Sequence, residues 1–257
     1  MTLNEHPLAN VDTHNPQWFI RDIQFLNYHI NHDKWDWFKY YTIPFAHRLQ
    51  EDFCCFNNDC WTITTVEEGQ GSAAETCVDM VNGVLIVTNA AAVNDMDELV
   101  YGCECWQLVN CYPLYAEIRF KIDDPDDASF WFGLITGDTW WAAAPDDYVV
   151  FHVDAAGDDL EFSTELNGVQ TNVDTGVDLA DLTWYTISFH WDGEGHINWF
   201  VFTDAQEGGY CVATGTVTTT IPQDEVLKVG FGLRNDEAVA HNMWIDYFTV
   251  SQKRVID

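Results

Sequence analysis

The sequence predicts an all-β protein, a two-sheet antiparallel sandwich preceded by an aromatic-rich, partly helical arm. Three observations carry that prediction. From Cys60 onward apolar residues recur with a period of two. Turn-forming clusters of Gly, Pro, Asn and Asp punctuate those runs about every eight to twelve residues. Residues 1–52 differ from everything after them in charge and in aromatic density, which divides the chain into an arm (1–52) and a sandwich (53–257).

In the arm, Asn15 and Pro16 form a plausible N-cap and first-turn pair, and Phe19, Ile23, Leu26, Ile30, Trp37 and Tyr41 recur at helical spacings. The stripe is interrupted or ends before Pro44, because proline cannot continue a helix. Trp18, Phe25, Tyr28, Trp35, Phe38 and Tyr40 add apolar surface off the stripe. One helix cannot hide all of these rings from water, so the arm must pack either on its own sandwich or on a partner. Read as a partner-binding anchor, it offers Trp18, Phe19, Trp35, Trp37, Phe38, Tyr40 and Tyr41.

In the sandwich, Leu114, Ala116, Ile118, Phe120 and Ile122 point one way while Tyr115, Glu117, Arg119 and Lys121 point the other. Similar runs cover 84–88, 130–136, 148–153, 160–165, 184–191, 197–202, 210–217, 226–233 and 243–250. With no helical stretch between them, these strands fit two stacked antiparallel sheets. Trp191-Asp192-Gly193-Glu194-Gly195-His196 reads as a hairpin turn, and the segments 123–127 and 144–147 read as loops.

The formal net charge of −32 repels phosphate backbones and anionic membrane surfaces, which argues against nucleic-acid and membrane partners. The charge is uneven: the first 52 residues hold seven acids, four Lys or Arg and five of the nine histidines, and the remaining body is a polyanion. Residues 1–10 lack a basic stretch followed by an apolar run, so the expectation is a protein made in a cytosol. In that setting the eight cysteines are expected to be reduced, mostly buried thiols, with a disulfide framework as the alternative. Cys103 and Cys105 lack a matching second pair for zinc, and no cofactor is expected.

A glycoside hydrolase needs two carboxylates facing one cleft, roughly 5–9.5 Å apart. Glu161 and Glu165 share a strand face, but four residues separate their backbones by about 13 Å. Asp95 with Asp97, and Asp192 with Glu194, have closer spacing but read as turn residues. No catalytic residues are therefore assigned. The acidic loops lack the Asp-x-Asp-x-Asp-Gly pattern and read as solvated, with a structural calcium ion as the alternative, and no metal ligands are assigned. Sugar binding needs exposed aromatic platforms beside polar groups, and Trp140 and Trp141, in the loop after Gly137 and Asp138, are the candidates. Trp131, Trp184 and Trp199 lie in strand-like runs and are expected to be core.

The runs from Asn94 through Glu98, Leu114 to Ile122, Phe132 to Ile135, Thr183 to Gly195 and Gly230 to Asn235, together with Ile245, Asp246 and Tyr247, resemble the concanavalin-A-like lectin and glucanase superfamily of jelly-roll sandwiches. Within it the chain is similar to jelly-roll proteins encoded among tailed-phage virion genes. Glucanase members carry a Glu-x-Asp-x-x-Glu strand that this sequence lacks, so the resemblance brings no activity with it. It implies a non-enzymatic capsid decoration protein on the virion surface, with the major capsid protein as partner and a homo-oligomer, as in a trimer at a three-fold position. A carbohydrate-binding or receptor-binding virion module with a glycan partner is the alternative, and a hydrolase the third.

Overall fold

The computed structural model describes residues 46–78, 83–153, 159–204 and 210–253. The expected helical stripe and all seven arm aromatics lie outside the described residues.

Fifteen strands and one short 3-10 turn make up the described chain. In order they are β1 (Ala46–Glu51), β2 (Trp61–Val66), β3 (Ala74–Val78), β4 (Val84–Thr88), β5 (Met96–Tyr101), β6 (Leu114–Ile122), β7 (Ala128–Ile135) and β8 (Tyr148–Val153). They continue with β9 (Asp159–Leu166), β10 (Val169–Asp178), β11 (Tyr185–Trp191), β12 (Ile197–Thr203), β13 (Tyr210–Val217), β14 (Lys228–Asn235) and β15 (Asn242–Lys253). The first sheet has eight strands, in the order β13-β12-β11-β6-β15-β4-β3, with β1 also paired to β15. The second has seven, in the order β10-β9-β8-β7-β14-β5-β2, and the pairings in both sheets are antiparallel. Ala46–Glu51, within the segment assigned to the arm, thus joins the sheet, Ala46 standing opposite Lys253 and Glu51 opposite Phe248.

The period-two pattern decides which side chains enter the space between the sheets. Ala116, Ile118 and Phe120 of β6 and Ile187 and Phe189 of β11 meet Phe130, Phe132, Phe151, Phe162 and Phe231 of the second sheet in one buried cluster. Phe120 stacks on Phe130 at 4.2 Å between ring centroids, which ties the two sheets at their centres. Trp199 belongs to this core, as expected. Trp184 does not. It precedes β11, is half-buried, and takes the Arg119 guanidinium 4.4 Å above its ring, so a cation rather than apolar neighbours fixes it.

Asp95 and Asp97 are not turn residues at the surface. Both are fully buried, and Asp97 lies in β5. Asp95 accepts the backbone N–H groups of Glu68 (2.6 Å) and Gly69 (3.2 Å), closing the connection after β2. Asp97 accepts the Thr65 hydroxyl at 2.9 Å through one oxygen, while its other oxygen has no donor. Burial pushes the Asp97 carboxyl up to about 9, assisted by the neighbouring Glu75 carboxylate of β3. A group raised this far contributes stability that is complete below its unfolded value of about 4 and is lost as pH climbs through the folded value. Unfolding measured against pH should therefore show stability falling between about pH 4 and pH 9. Asp97→Asn, which keeps the shape of the protonated acid, should flatten that slope and raise Tm at pH 8 by about 2–4 °C or more. An unchanged slope in the variant would mean that another group sets it.

Candidate functional site

The second sheet turns the alternate residues of β5, β14, β7, β8, β9 and β10 away from the core. Register aligns them in rows across the strands. One row reads Glu98, Gly232, Trp131, His152, Glu161 and Asp174, and the next reads Val100, Gly230, Gly133, Val150, Ser163 and Asn172. A row of this kind is continuous across six strands, although its members are scattered over more than seventy residues of sequence.

Two glycines of β14 make room on this face. A side chain at Gly230 would meet the Trp131 ring at 2.6 Å, and one at Gly232 would meet Trp131 at 2.5 Å and Trp141 at 2.9 Å. Their bare backbone lets Trp131 lie down across the sheet and lets Trp141 settle over it. Trp131 is therefore buried, but in a second, smaller cluster with Val100, Ile135, Tyr148 and Val150 on the outer face, and not between the sheets as expected. In Phe130-Trp131-Phe132 the phenylalanines hold the interior positions, so strand alternation sends the tryptophan outward.

The loop carrying Trp140 and Trp141 folds back onto this cluster. Glu98, fully buried, accepts the backbone N–H of Trp140 at 2.7 Å and of Trp141 at 3.0 Å, and it also accepts the Thr139 hydroxyl. Its carboxylate thereby satisfies three loop donors at once. Trp140 lies 5.9 Å from Trp131 in a stacked arrangement, 4.6 Å from Tyr148 edge-on, and 5.8 Å from His152. The Arg234 guanidinium sits 5.1 Å above Trp141. Both loop tryptophans are half-buried. The structure thus brings Trp140 and Trp141 together as one aromatic surface on a rigid support.

Beside it lies a polar network that the sequence reading missed. His152 Nε2 is 2.8 Å from the Ser163 hydroxyl and 3.6 Å from the Glu161 carboxylate. Asn172 accepts the Ser163 hydroxyl and donates its amide to Glu161. Both Glu161 and Ser163 contact one ring nitrogen of His152, so this is not the relay of an activated serine, in which hydroxyl and carboxylate take opposite nitrogens. Register also sets Glu161 opposite Asp174, a carboxylate pair on neighbouring strands, although Asp174 is tied to the N–H of Gly176 at 2.6 Å. The available signal was Asn167-Gly168, a two-residue hairpin between β9 and β10 in which both residues have positive φ. Reading it fixes Asn172 opposite Ser163.

Among the described residues, no group of three or more His, Cys, Asp or Glu is placed to hold a metal ion. All eight cysteines are thiols, and five of them, Cys54, Cys55, Cys60, Cys103 and Cys111, are exposed rather than buried. Burial and the adjacent Cys103 push the Cys105 thiol up to about 12, so it is protonated and a poor nucleophile at neutral pH.

Over residues 119–246 the chain matches the family described as SO2946-like, C-terminal domain. No curated protein matches it in sequence. Among solved structures it is similar to a protein of unknown function, SO2946, from Shewanella oneidensis MR-1, with a TM-score of 0.58 and 13% identity over 81% of this chain and 87% of that one. Peanut lectin matches with a TM-score of 0.54 and 12% identity over 82% of this chain and 99% of the lectin. An endo-1,3-beta-glucanase from Streptomyces sioyaensis matches with a TM-score of 0.55 and 12% identity over 83% and 98%. At these identities the likeness is one of fold: the chain folds as the lectins and the glucanase do.

Proposed function

We propose that the chain is a non-catalytic carbohydrate-binding protein whose site is the outer face of the second sheet, with Trp140 and Trp141 as the platform. The observation that carries this reading is the assembly of half-exposed indole rings beside Glu161, Ser163 and Asn172 on neighbouring strands. A sugar ring has an apolar face of C–H groups and a rim of hydroxyls. The first stacks on an indole, and the second pairs with a carboxylate and an amide held about one strand spacing apart. The lectin-like fold supports the reading without requiring it. Because the chain carries a formal charge of −32, a neutral glycan suits it better than an acidic one.

Hydrolysis is the third reading, and Glu161 with Asp174 is the pair it would use. The Asp174 carboxylate already holds the turn at Gly176, which favours a structural part for it. Capsid decoration is the weaker alternative to glycan binding, because the arm residues it relies on lie outside the described residues whereas the glycan-facing groups form one surface. A receptor-binding module on a virion would accommodate both the glycan site and the phage-like resemblance.

Titration of the full chain with neutral oligosaccharides of graded length, followed by calorimetry, tests the proposal. Trp140→Ala should weaken binding by about 1–2 kcal/mol, roughly 5- to 30-fold, measured at a temperature where the variant is folded. No binding at millimolar concentrations of any neutral glycan would overturn the assignment, and release of reducing sugar abolished by Glu161→Gln would replace it with the hydrolase.

Glu98 generates a separate expectation. Glu98→Ala leaves three loop donors without their acceptor and should lower stability by about 2–4 kcal/mol in denaturant unfolding. Because the loop is then free, glycan affinity should fall at least as far as in Trp140→Ala, although Glu98 itself touches no ligand. Full affinity in Glu98→Ala would show that the tryptophans hold their position without it.

A further inference from the structure

Six of the eight cysteines gather where the segment before β2, the end of β3 and the end of β5 meet, around the rings of Phe56, Trp61 and Tyr101. Two of them are in contact. Cys103 and Cys105 lie in the connection from β5 to β6, and their thiols are within hydrogen-bonding reach of each other. Three attachments hold this segment. The Gly102 N–H donates to the Cys60 carbonyl at 2.9 Å, the Glu104 carboxylate meets Lys228 Nζ at 3.4 Å, and the Cys105 N–H donates to the Leu227 carbonyl at 3.3 Å. Side chains alternate along an extended segment, so with Glu104 turned to Lys228 both thiols fall on the other side. Cys60 is joined to the same segment through Gly102, but its sulfur accepts the Asn57 side-chain amide at 3.5 Å and is directed back to its own turn.

The two thiols differ in access, which divides a reaction between them. Cys103 is exposed, whereas Cys105 is half-buried and lines a cleft of about 330 Å³ with Val109, Tyr112 and Val226. Burial and the neighbouring Cys103 keep the Cys105 thiol protonated, so Cys103 is the first to attack an external sulfur. Once Cys103 is capped it carries no charge, and one of the two causes that hold back Cys105 is gone. Residues two apart have Cα atoms separated by at most about 7 Å, and a disulfide spans about 4.4–6.8 Å, so closing the pair needs little backbone movement.

We propose that Cys103 and Cys105 form a redox dithiol that closes to an intramolecular disulfide by exchange with small, neutral organic disulfides. The Cys103 thiolate attacks one sulfur of the external disulfide, whose S–S bond breaks, and one half leaves as a thiolate. Cys105 then gives up its proton and attacks the Cys103 sulfur, the mixed disulfide breaks, and the second half leaves. The two leaving thiolates take up the protons that the two cysteines lose. The protein is thereby oxidised by two electrons and the external disulfide is reduced to two thiols. A neutral reagent fits because a chain of formal charge −32 repels an anionic one. This goes beyond the glycan reading and is independent of it, since neither cysteine belongs to the tryptophan-bearing face.

The test uses the full chain, reduced and freed of reductant, with an excess of bis(2-hydroxyethyl) disulfide, followed by acid quenching, alkylation of the remaining thiols and peptide mapping. Two of the eight thiols should be lost ahead of the others, and the peptide holding Cys103 and Cys105 should be lighter by two hydrogens and carry no hydroxyethyl group. Cys105→Ser should instead retain the hydroxyethylthio group on Cys103, and Cys103→Ser should leave Cys105 slower to react than the unmodified chain is to close. Mapping of the unmodified chain decides the case alone if either variant misfolds. A mixed disulfide that persists on Cys103 in the unmodified chain, a bridge from either cysteine to Cys60 or to any other thiol, or loss of the other thiols as fast as these two would overturn the proposal.

Discussion

The fold depends on how a chain with 42 acids and ten Lys or Arg disposes of its carboxylates. Ion pairs cannot neutralise them, because cations are too few. Backbone amides and hydroxyls do the work instead, and each buried acid becomes a staple for the segment that supplies the donors. Asp95 holds the connection after β2, Glu98 holds the tryptophan loop, and Asp147 accepts the N–H of Asn167 at 2.9 Å to hold the β9–β10 hairpin. Asp192 does the same for its own turn. Burial alone would raise that carboxyl, but the amides of Glu194 and His196 and the His196 ring hold it below the ordinary value. Asp123 follows the same logic with Asn242 and His241, and its ion pair in turn raises His241. The polyanionic composition is therefore partly structural and not only a solubility device. Asp97 is the exception: one hydroxyl cannot compensate for full burial next to a second carboxylate, so this acid is kept neutral by its proton.

That economy explains what could and could not be read in the sequence. Four strands were legible to the residue: Leu114–Ile122, Tyr148–Val153, Val84–Thr88 and Tyr210–Val217 have the bounds that the sequence predicts. β5 was not, because Asp95, Asp97 and Glu98 resemble a turn unless one knows that amides and hydroxyls elsewhere will receive them. β10 was missed for a related reason. It is an edge strand that is polar on both sides, so period-two hydrophobicity has nothing to report, and only the Asn167-Gly168 hairpin announces it. In β14 the pattern placed the strand two residues early, since Val226 is exposed and the pairing begins at Lys228.

The candidate site was legible in its exposed part only. Trp140 and Trp141 stand out as aromatic residues in a loop rich in turn formers, and the structure keeps them together. Their support was hidden. Trp131 sits among apolar residues on both sides, and nothing local fixes which parity of β7 faces the interior. The partners that decide it, Gly230 and Gly232, are a hundred residues away in β14. Glu161, Ser163, Asn172 and His152 are joined by register across three strands, a relation that no single-strand search for paired acids can find.

On the second sheet, glycines lower the surface of β14 and a carboxylate pins a loop of two tryptophans into the hollow, so the face finishes itself with local parts and keeps polar groups beside the rings. In the proposed glycan site, half-buried tryptophans fixed by charge-assisted hydrogen bonds offer flat aromatic contact with few rearrangements on binding, because the cost of ordering the loop has already been met during folding.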